Sequence, residues 1–255
     1  MPSDSNSALD FGLAKSAYSS FRPEYSPELF ERIIKEVPEE HRQRAVDLGA
    51  GTGLSTLPIG ESFAEVIAVE PDARMAAEIP RSEGLSVQVC KAEEAAIDDD
   101  SVDLVTVGTA FYWMDGPRVL GNSVRWLRKG GVLAVYRYSL PRLPRPVQKL
   151  LDSEFEQHWD EFRDRRLLDE EYSWRCVEGE ADLRNSRIML ISNIIPMEVA
   201  AFVGFFSSTS YCSAYLRTLE DPRGYVEELE RSFRSAHPRG EIPVDFAVEL
   251  ILSRV

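Results

Sequence analysis

The chain has 255 residues, 44% of them hydrophobic, with a formal net charge of −14 and a pI near 4.8. That length supports a full core without disulfide or metal staples. The acidic balance excludes a broad basic face of the kind that displaces counterions from phosphates, so no nucleic-acid partner is expected. Cys90, Cys176 and Cys212 are widely spaced and form no C-x-x-C pair, so neither a disulfide framework nor a metal site is expected. No run approaches the ~20 apolar residues of a membrane span, and the polar start, Met1 to Ser7, lacks the charged-then-apolar order of a leader. The sequence therefore predicts a cytoplasmic protein without a membrane partner, as a monomer or homodimer.

Ser26-Pro27-Glu28 predicts a helix start with a hydroxyl cap, proline in the first turn and an acid near the positive helix end. Leu29, Phe30, Ile33 and Ile34 form its apolar face, and Pro38 stops it. Ala45 to Leu48 is a buried strand running into Gly49, followed by a helix over Leu54 to Ile59. Val66 to Val69 is a second strand, Asp72 caps a helix reaching Ile79, and Leu85 to Val89 is a third strand. Val102 to Val107 is a fourth. A helix over Val119 to Leu127 ends at Lys129-Gly130-Gly131, and Val132 to Tyr136 is a fifth strand. Strand–helix alternation with short links means a parallel sheet covered on both faces.

After Ser139, three prolines (Pro141, Pro144 and Pro146) break the pattern, and a charged helix is expected from Val147 to about Arg166. Further helices are expected over Glu198 to Phe206, Tyr211 to Leu216 and Gly224 to Phe233. Ile188 to Ile195 reads as a sixth strand and Val244 to Leu252 as the last. The expected organisation is a core of residues 1–138 and 241–255. A mostly helical substrate-binding insertion, 139–240, lends one strand near 188–195.

The chemistry concentrates in Asp47-Leu48-Gly49-Ala50-Gly51-Thr52-Gly53, where a strand gives way to a helix. Glycines there permit a tight turn and close approach of a ligand to the main chain, and helix-start N–H groups face that ligand. A dinucleotide site uses G-x-G-x-x-G, but here the third-glycine position is Leu54 and the glycine comes one residue earlier. Asp47 sits badly beside a pyrophosphate and well beside a cationic headgroup. A tight turn without ligand stays open on the loop alone, as does a nicotinamide-cofactor oxidoreductase. Glu70, at the end of the second strand, can accept hydrogen bonds from both hydroxyls of a ribose. Lys91-Ala92-Glu93 and Gly108-Thr109-Ala110 reach the same carboxyl edge, where doubly wound sheets bind ligands.

This loop, with Glu70, Ala92-Glu93 and Leu127-Arg128-Lys129-Gly130-Gly131, resembles the class I S-adenosylmethionine-dependent methyltransferases. Tyr18-Ser19-Ser20-Phe21-Arg22-Pro23-Glu24-Tyr25 and Ala110-Phe111-Tyr112-Trp113-Met114-Asp115 resemble the methyltransferase type 11, trans-aconitate methyltransferase-like branch. The resemblance covers residues 15 to 138 well and the remainder loosely. Where that branch often has a His before the tryptophan, this chain has Tyr112. The resemblance implies a Rossmann-like, mostly parallel seven-stranded sheet with a helical lid before the last strands. It also implies S-adenosyl-L-methionine as cofactor and a small-molecule acceptor. Gly49, Ala50, Gly51 and Gly53 would border the methionine part and ribose, with Asp47 behind the loop and Glu70 on the ribose. Ala92 and Glu93 would flank the adenine, Pro71 and Met75 would wall it, and Thr109 and Ala110 would lie under the sulfonium. Tyr18 and Arg22 would close over the site. A protein that binds this cofactor without methylating is the remaining alternative.

The donor is already activated, so catalysis consists mainly of holding an acceptor in line with the methyl group and excluding water. Tyr112 and Trp113 are expected to face that methyl group. Tyr211 and Tyr215, from the lid, combine apolar area with a polar tip. Arg137 offers a bidentate partner for an acidic substrate. Of the histidines His41, His158 and His237, only His158 is placed to line a pocket, which makes it, with Tyr112 and Trp113, a candidate for catalysis.

Overall fold

Runs such as Ala45–Leu48 and Val102–Val107 are apolar at nearly every position, which suits strands buried on both faces. The computed structural model describes residues 22–255 and turns these runs into β1 (Arg44–Leu48), β2 (Glu65–Val69), β3 (Leu85–Gln88), β4 (Val102–Gly108) and β5 (Leu127–Tyr138). Then come β6 (Arg184–Ile191), β7 (Ile194–Met197), β8 (Ile242–Asp245) and β9 (Val248–Arg254). Seven strands form one sheet in the order β3-β2-β1-β4-β5-β9-β6. β1 to β5 run parallel, and β9 lies antiparallel to both neighbours, β5 and β6. This is the expected doubly wound, mostly parallel α/β sheet.

The chain divides into two compact units. The sheet unit holds residues 24–141, 169–193 and 246–255. Its side chains alternate between faces with the period of two that a pleated strand imposes. Val46, Leu48, Val105, Val107, Leu133 and Val135 pack on one face with Leu120 and Trp126. Ala45, Leu104, Ala134 and Tyr136 pack on the other with Leu29, Ile33 and Ile59. The helix Pro27–Lys35 is pinned to this second face, and Glu36 just after it pairs with Arg187 of β6 at 2.6 Å and Arg254 of β9 at 2.9 Å. Asp103, at the start of β4, accepts from the backbone N–H groups of Gln43 and Arg44 and from Arg128.

The other unit is helical and comprises, among the described residues, 22–23, 142–168 and 194–245. Its core is aromatic: Trp159 stacks on Phe206 at 5.4 Å, and Phe202 meets Phe206 and Phe233 at 5.1 Å each. β7 and β8 form a separate two-stranded antiparallel sheet here. No single helix of the described residues is long and apolar enough to cross a membrane.

Several element bounds differ from expectation. Ile188 to Ile195 is two strands, because buried Asn193 interrupts the run and donates to the Glu24 carbonyl. Val244 to Leu252 likewise divides at Phe246-Ala247. The long helix from Val147 is a helix Arg145–Glu154, a π-helical turn Phe155–Trp159, a 3₁₀ turn Asp160–Phe162 and a short helix Arg165–Leu168. The helix Gly116–Trp126 ends before Lys129-Gly130-Gly131, which already belongs to β5. Ser26 makes no capping bond, whereas Asp72, Asp115, Thr209 and Asp221 do. Pro58 sits in the first turn of the helix Thr56–Gly60, where a missing N–H costs nothing.

Candidate active site

Four loops leave the carboxyl ends of the parallel strands, and specific contacts tie them to one another. After β1, the chain turns back at Gly49 and Ala50, whose N–H groups both donate to the Val69 carbonyl at 2.8 and 3.1 Å. Gly49, Gly51 and Gly53 take φ of +69°, +59° and +95°, a left-handed region that favours glycine. A Cβ on Gly49 would stand 2.6 Å from Ala110 Cβ. The loops after β1 and β4 therefore touch where only glycine fits. Ala50 is buried against Ala68 and Ile79. Met75 lies at ordinary contact distance, 3.4 Å, from where a Gly51 Cβ would be.

Glu70 ties the first loop to the second. One carboxylate oxygen accepts from Gly51 N–H and the other from Asp72 N–H, each at 2.9 Å. Burial pushes its carboxyl above the ordinary glutamate range, against the pull of those two backbone donors. Pro71 beside it is exposed. Glu93 ties the third loop to the fourth, accepting from Asp115 N–H at 2.7 Å, while Ala92 is buried in the core beneath.

Asp47 lies under the first loop and is 1% exposed. Thr56 and Thr106 donate their hydroxyls to its two oxygens at 2.6 and 2.8 Å. Burial, with the Glu70 charge adding, raises its carboxyl to about 6. Thr56 and Thr106 carry no motif signal in the sequence. Thr106 is found only through the β1–β4 register, which sets it beside Asp47.

After β4, Thr109 adopts φ +50°, uncommon for a β-branched residue. Its N–H donates to the Tyr136 carbonyl at 2.7 Å, and its hydroxyl shares a 2.7 Å hydrogen bond with Tyr25. Ala110 opens a 3₁₀ turn, Phe111–Trp113, that presents Tyr112 and Trp113 half-buried with ring centroids 5.2 Å apart. Phe111 points down into the core against Tyr172.

These loops have the connectivity of a known fold. Residues 46–135 match the family model described as a methyltransferase domain. That domain, with the relatives below, supports a class I S-adenosylmethionine-dependent methyltransferase whose cofactor is S-adenosylmethionine. A Dictyostelium discoideum protein named as a methyltransferase is 27% identical to this methyltransferase over 256 residues, covering 96% of this chain and 94% of its own. A trans-aconitate 2-methyltransferase of Deinococcus radiodurans is 32% identical over 102 residues, 39% of each chain. A solved structure from Anaeromyxobacter dehalogenans, described as a type II methyltransferase, superposes with a TM-score of 0.76 at 26% identity. It covers 92% of this chain and 98% of that one.

The remaining sequence candidates fall in several places. Arg137, on β5, is partly buried and is the register partner of Glu249 on β9. Arg22, His158, Tyr211 and Tyr215 belong to the helical unit. There the His158 ring stacks on Tyr215 at 5.0 Å, and Tyr225 meets both edge-on. Tyr211 is buried between Phe155 and Trp159, and burial raises its phenol above the ordinary tyrosine value. The Arg22 guanidinium lies 5.6 Å from the Phe205 ring centre. Tyr18 lies outside the described residues. His41 is exposed, and His237 meets the Glu241 carbonyl at 3.1 Å. Among the described residues, no group of His, Cys, Asp and Glu could hold a metal ion.

Proposed function

We propose that this methyltransferase acts on a small-molecule acceptor, with the donor held on the carboxyl edge of the sheet. The observation that carries the donor site is the Gly49–Ala110 contact beside the Glu70–Gly51 bond. Together they pack the glycine loop against the loop after β4 and set Gly51 next to a carboxylate with lone pairs to spare, which fits a ribose and an amino-acid headgroup. Gly49, Ala50, Gly51 and Gly53 would line the donor, Glu70 would accept from its ribose, and Met75, Pro71, Ala92 and Glu93 would bound its adenine. Asp47 would act from behind, and Thr109 and Ala110 would lie nearest the reacting sulfur.

S-adenosylmethionine, when bound, supplies an electrophilic methyl group on a sulfonium. The protein's share is to orient the acceptor and keep water out. Tyr112 and Trp113 supply apolar area with polar tips for that purpose. A carboxylate acceptor requires no base, and a hydroxyl or amine would need its proton removed, for which Tyr112 and His158 are the candidates. The insertion 139–240 would define the acceptor through Tyr211 and Tyr215, and Tyr18 and Arg22 would cover the site. Arg137 would meet an acidic substrate. The name of the Deinococcus relative, a trans-aconitate 2-methyltransferase, favours an acidic acceptor of low mass. The net charge of −14 disfavours a polyanionic one.

The test measures release of S-adenosylhomocysteine against small carboxylic acids, phenols and amines, with RNA, DNA and protein as comparators. Turnover with a small acid, phenol or amine is expected. Turnover only with a macromolecule overturns the reading.

A further inference from the structure

We propose that Tyr25 is a positioning residue for the methyl donor, its hydroxyl holding Thr109 in the left-handed conformation that sets the turn beneath the donor. The proposal rests on the reading that Gly49–Gly53 and Thr109–Ala110 border the donor. It starts from an oddity: φ +50° is a conformation that glycine, asparagine and aspartate visit and a β-branched residue avoids. Such strain persists where the surroundings over-determine it, and it clusters at functional sites. Thr109 is held twice, by its N–H to the Tyr136 carbonyl and by its hydroxyl to Tyr25, each at 2.7 Å.

Tyr25 is itself immobilised. Its ring stands edge-on to Tyr136 at 5.2 Å and to Phe30 at 6.1 Å, and tilted against Tyr138 at 6.0 Å. One residue before it, the Glu24 carbonyl accepts from Asn193 at 2.9 Å. Two residues after it begins the helix Pro27–Lys35, whose Leu29 and Ile33 are buried in the sheet core. Burial, with Tyr138 and Tyr136 adding, keeps the phenol protonated, so its hydroxyl stays available as donor or acceptor. From Thr109 the contact passes to Ala110, whose Cβ occupies the space that Gly49 leaves free. A contiguous path thus runs from Tyr25 through Thr109 and Ala110 to the glycine loop. Glycine at 109 would reach the same φ but would also populate others. Threonine with a fixed phenol selects one.

Calorimetric titration with S-adenosylhomocysteine tests this, alongside thermal denaturation. Tyr25→Phe, which keeps the ring clamp, and Thr109→Val, which keeps the shape, should each weaken binding about 3- to 10-fold, as expected for one lost hydrogen bond. The Tyr25→Phe/Thr109→Val double variant should be no weaker than the worse single one. In a Thr109→Gly background, Tyr25→Phe should change affinity by less than about twofold. Equal, multiplicative losses in both backgrounds overturn the proposal. So does a lowered melting temperature with unchanged affinity, which would make the phenol a packing residue only. Gly51→Val separates the two levels. If it blocks binding while Tyr25→Phe does not weaken it, the positioning role alone falls. If it leaves binding intact, the donor-site reading falls and takes this proposal with it.

Discussion

Asp47→Asn should make the protein more stable above pH 6 and leave its stability near pH 4 almost unchanged. The wild-type carboxyl is enclosed at 1% exposure and titrates at about 6, against 3.8 for an ordinary aspartate. Its folded value is raised, so the contribution is fully present below pH 3.8 and is lost as pH rises through 6. Between those limits the unfolded chain has released its proton while the folded chain retains it. The difference of about 2 pH units corresponds to about 3 kcal/mol. Asparagine never ionises, and the Thr56 and Thr106 hydroxyls can turn to accept from its amide as readily as they donate to its oxygen. Urea denaturation of both proteins from pH 4 to pH 8 measures the effect, and comparing the two cancels every other titrating group. The variant should gain on the wild type by about 3 kcal/mol across that range, most of it between pH 4 and pH 6. A difference that stays flat with pH refutes the reasoning, since it would mean that Asp47 is already ionised at no cost.

Glu70→Ala should weaken S-adenosylhomocysteine binding by about 10- to 150-fold, or ~1.5–3 kcal/mol for hydrogen bonds to a charged group. Calorimetry reads this, and the apo protein should also melt earlier because Gly51 and Asp72 lose their acceptor. Gly51→Val places a β-branched residue at φ +59° and should abolish binding while far-UV circular dichroism stays native; full affinity would remove the loop from the site. Asp103→Ala, at the opposite end of β4, strands the Gln43 and Arg44 N–H groups and should cost ~1–3 kcal/mol of stability. Its affinity for S-adenosylhomocysteine should match that of the wild type, and a large loss would mean that the two ends of the strand are coupled.

Much of this architecture is legible in the sequence because short-range patterns specify it. Apolar runs of strand length, glycine turns and alternation with helices locate β1 to β5 and their order of appearance. The failures have a common cause. Ile188 to Ile195 reads as one strand because its apolar content masks Asn193, whose partner, Glu24, is distant in sequence. The stretch from Val147 to Arg166 contains neither proline nor glycine. Its breaks coincide with Phe155 and Trp159 turning into an aromatic core built from Phe206 and Tyr211. The site divides in the same way. The glycines and Glu70 lie in contiguous motifs, whereas Tyr25 finds Thr109 across 84 positions and Thr106 finds Asp47 across 59. The second pair depends on the β1–β4 register and the first on how the segment before the helix Pro27–Lys35 meets the end of β4, neither of which a single segment encodes.

The structure also separates two acids that the motif presents side by side. Asp47 is enclosed beneath the loop at 1% exposure, with Thr56 and Thr106 donating to its two oxygens. Glu70 has one backbone donor on each oxygen, which leaves a further lone pair on each. A ribose can therefore bind Glu70 without breaking the bond that fixes Gly51. The two carboxylates then act at different levels. Asp47 braces the strand end and the helix start from below, and Glu70 fixes the loop while retaining capacity for a ligand. Their charges also oppose one another, since Glu70 helps to raise Asp47. Removing Glu70 should therefore lower the pH at which Asp47 ionises, so the pH dependence of stability that Asp47 imposes should move to lower pH in Glu70→Ala.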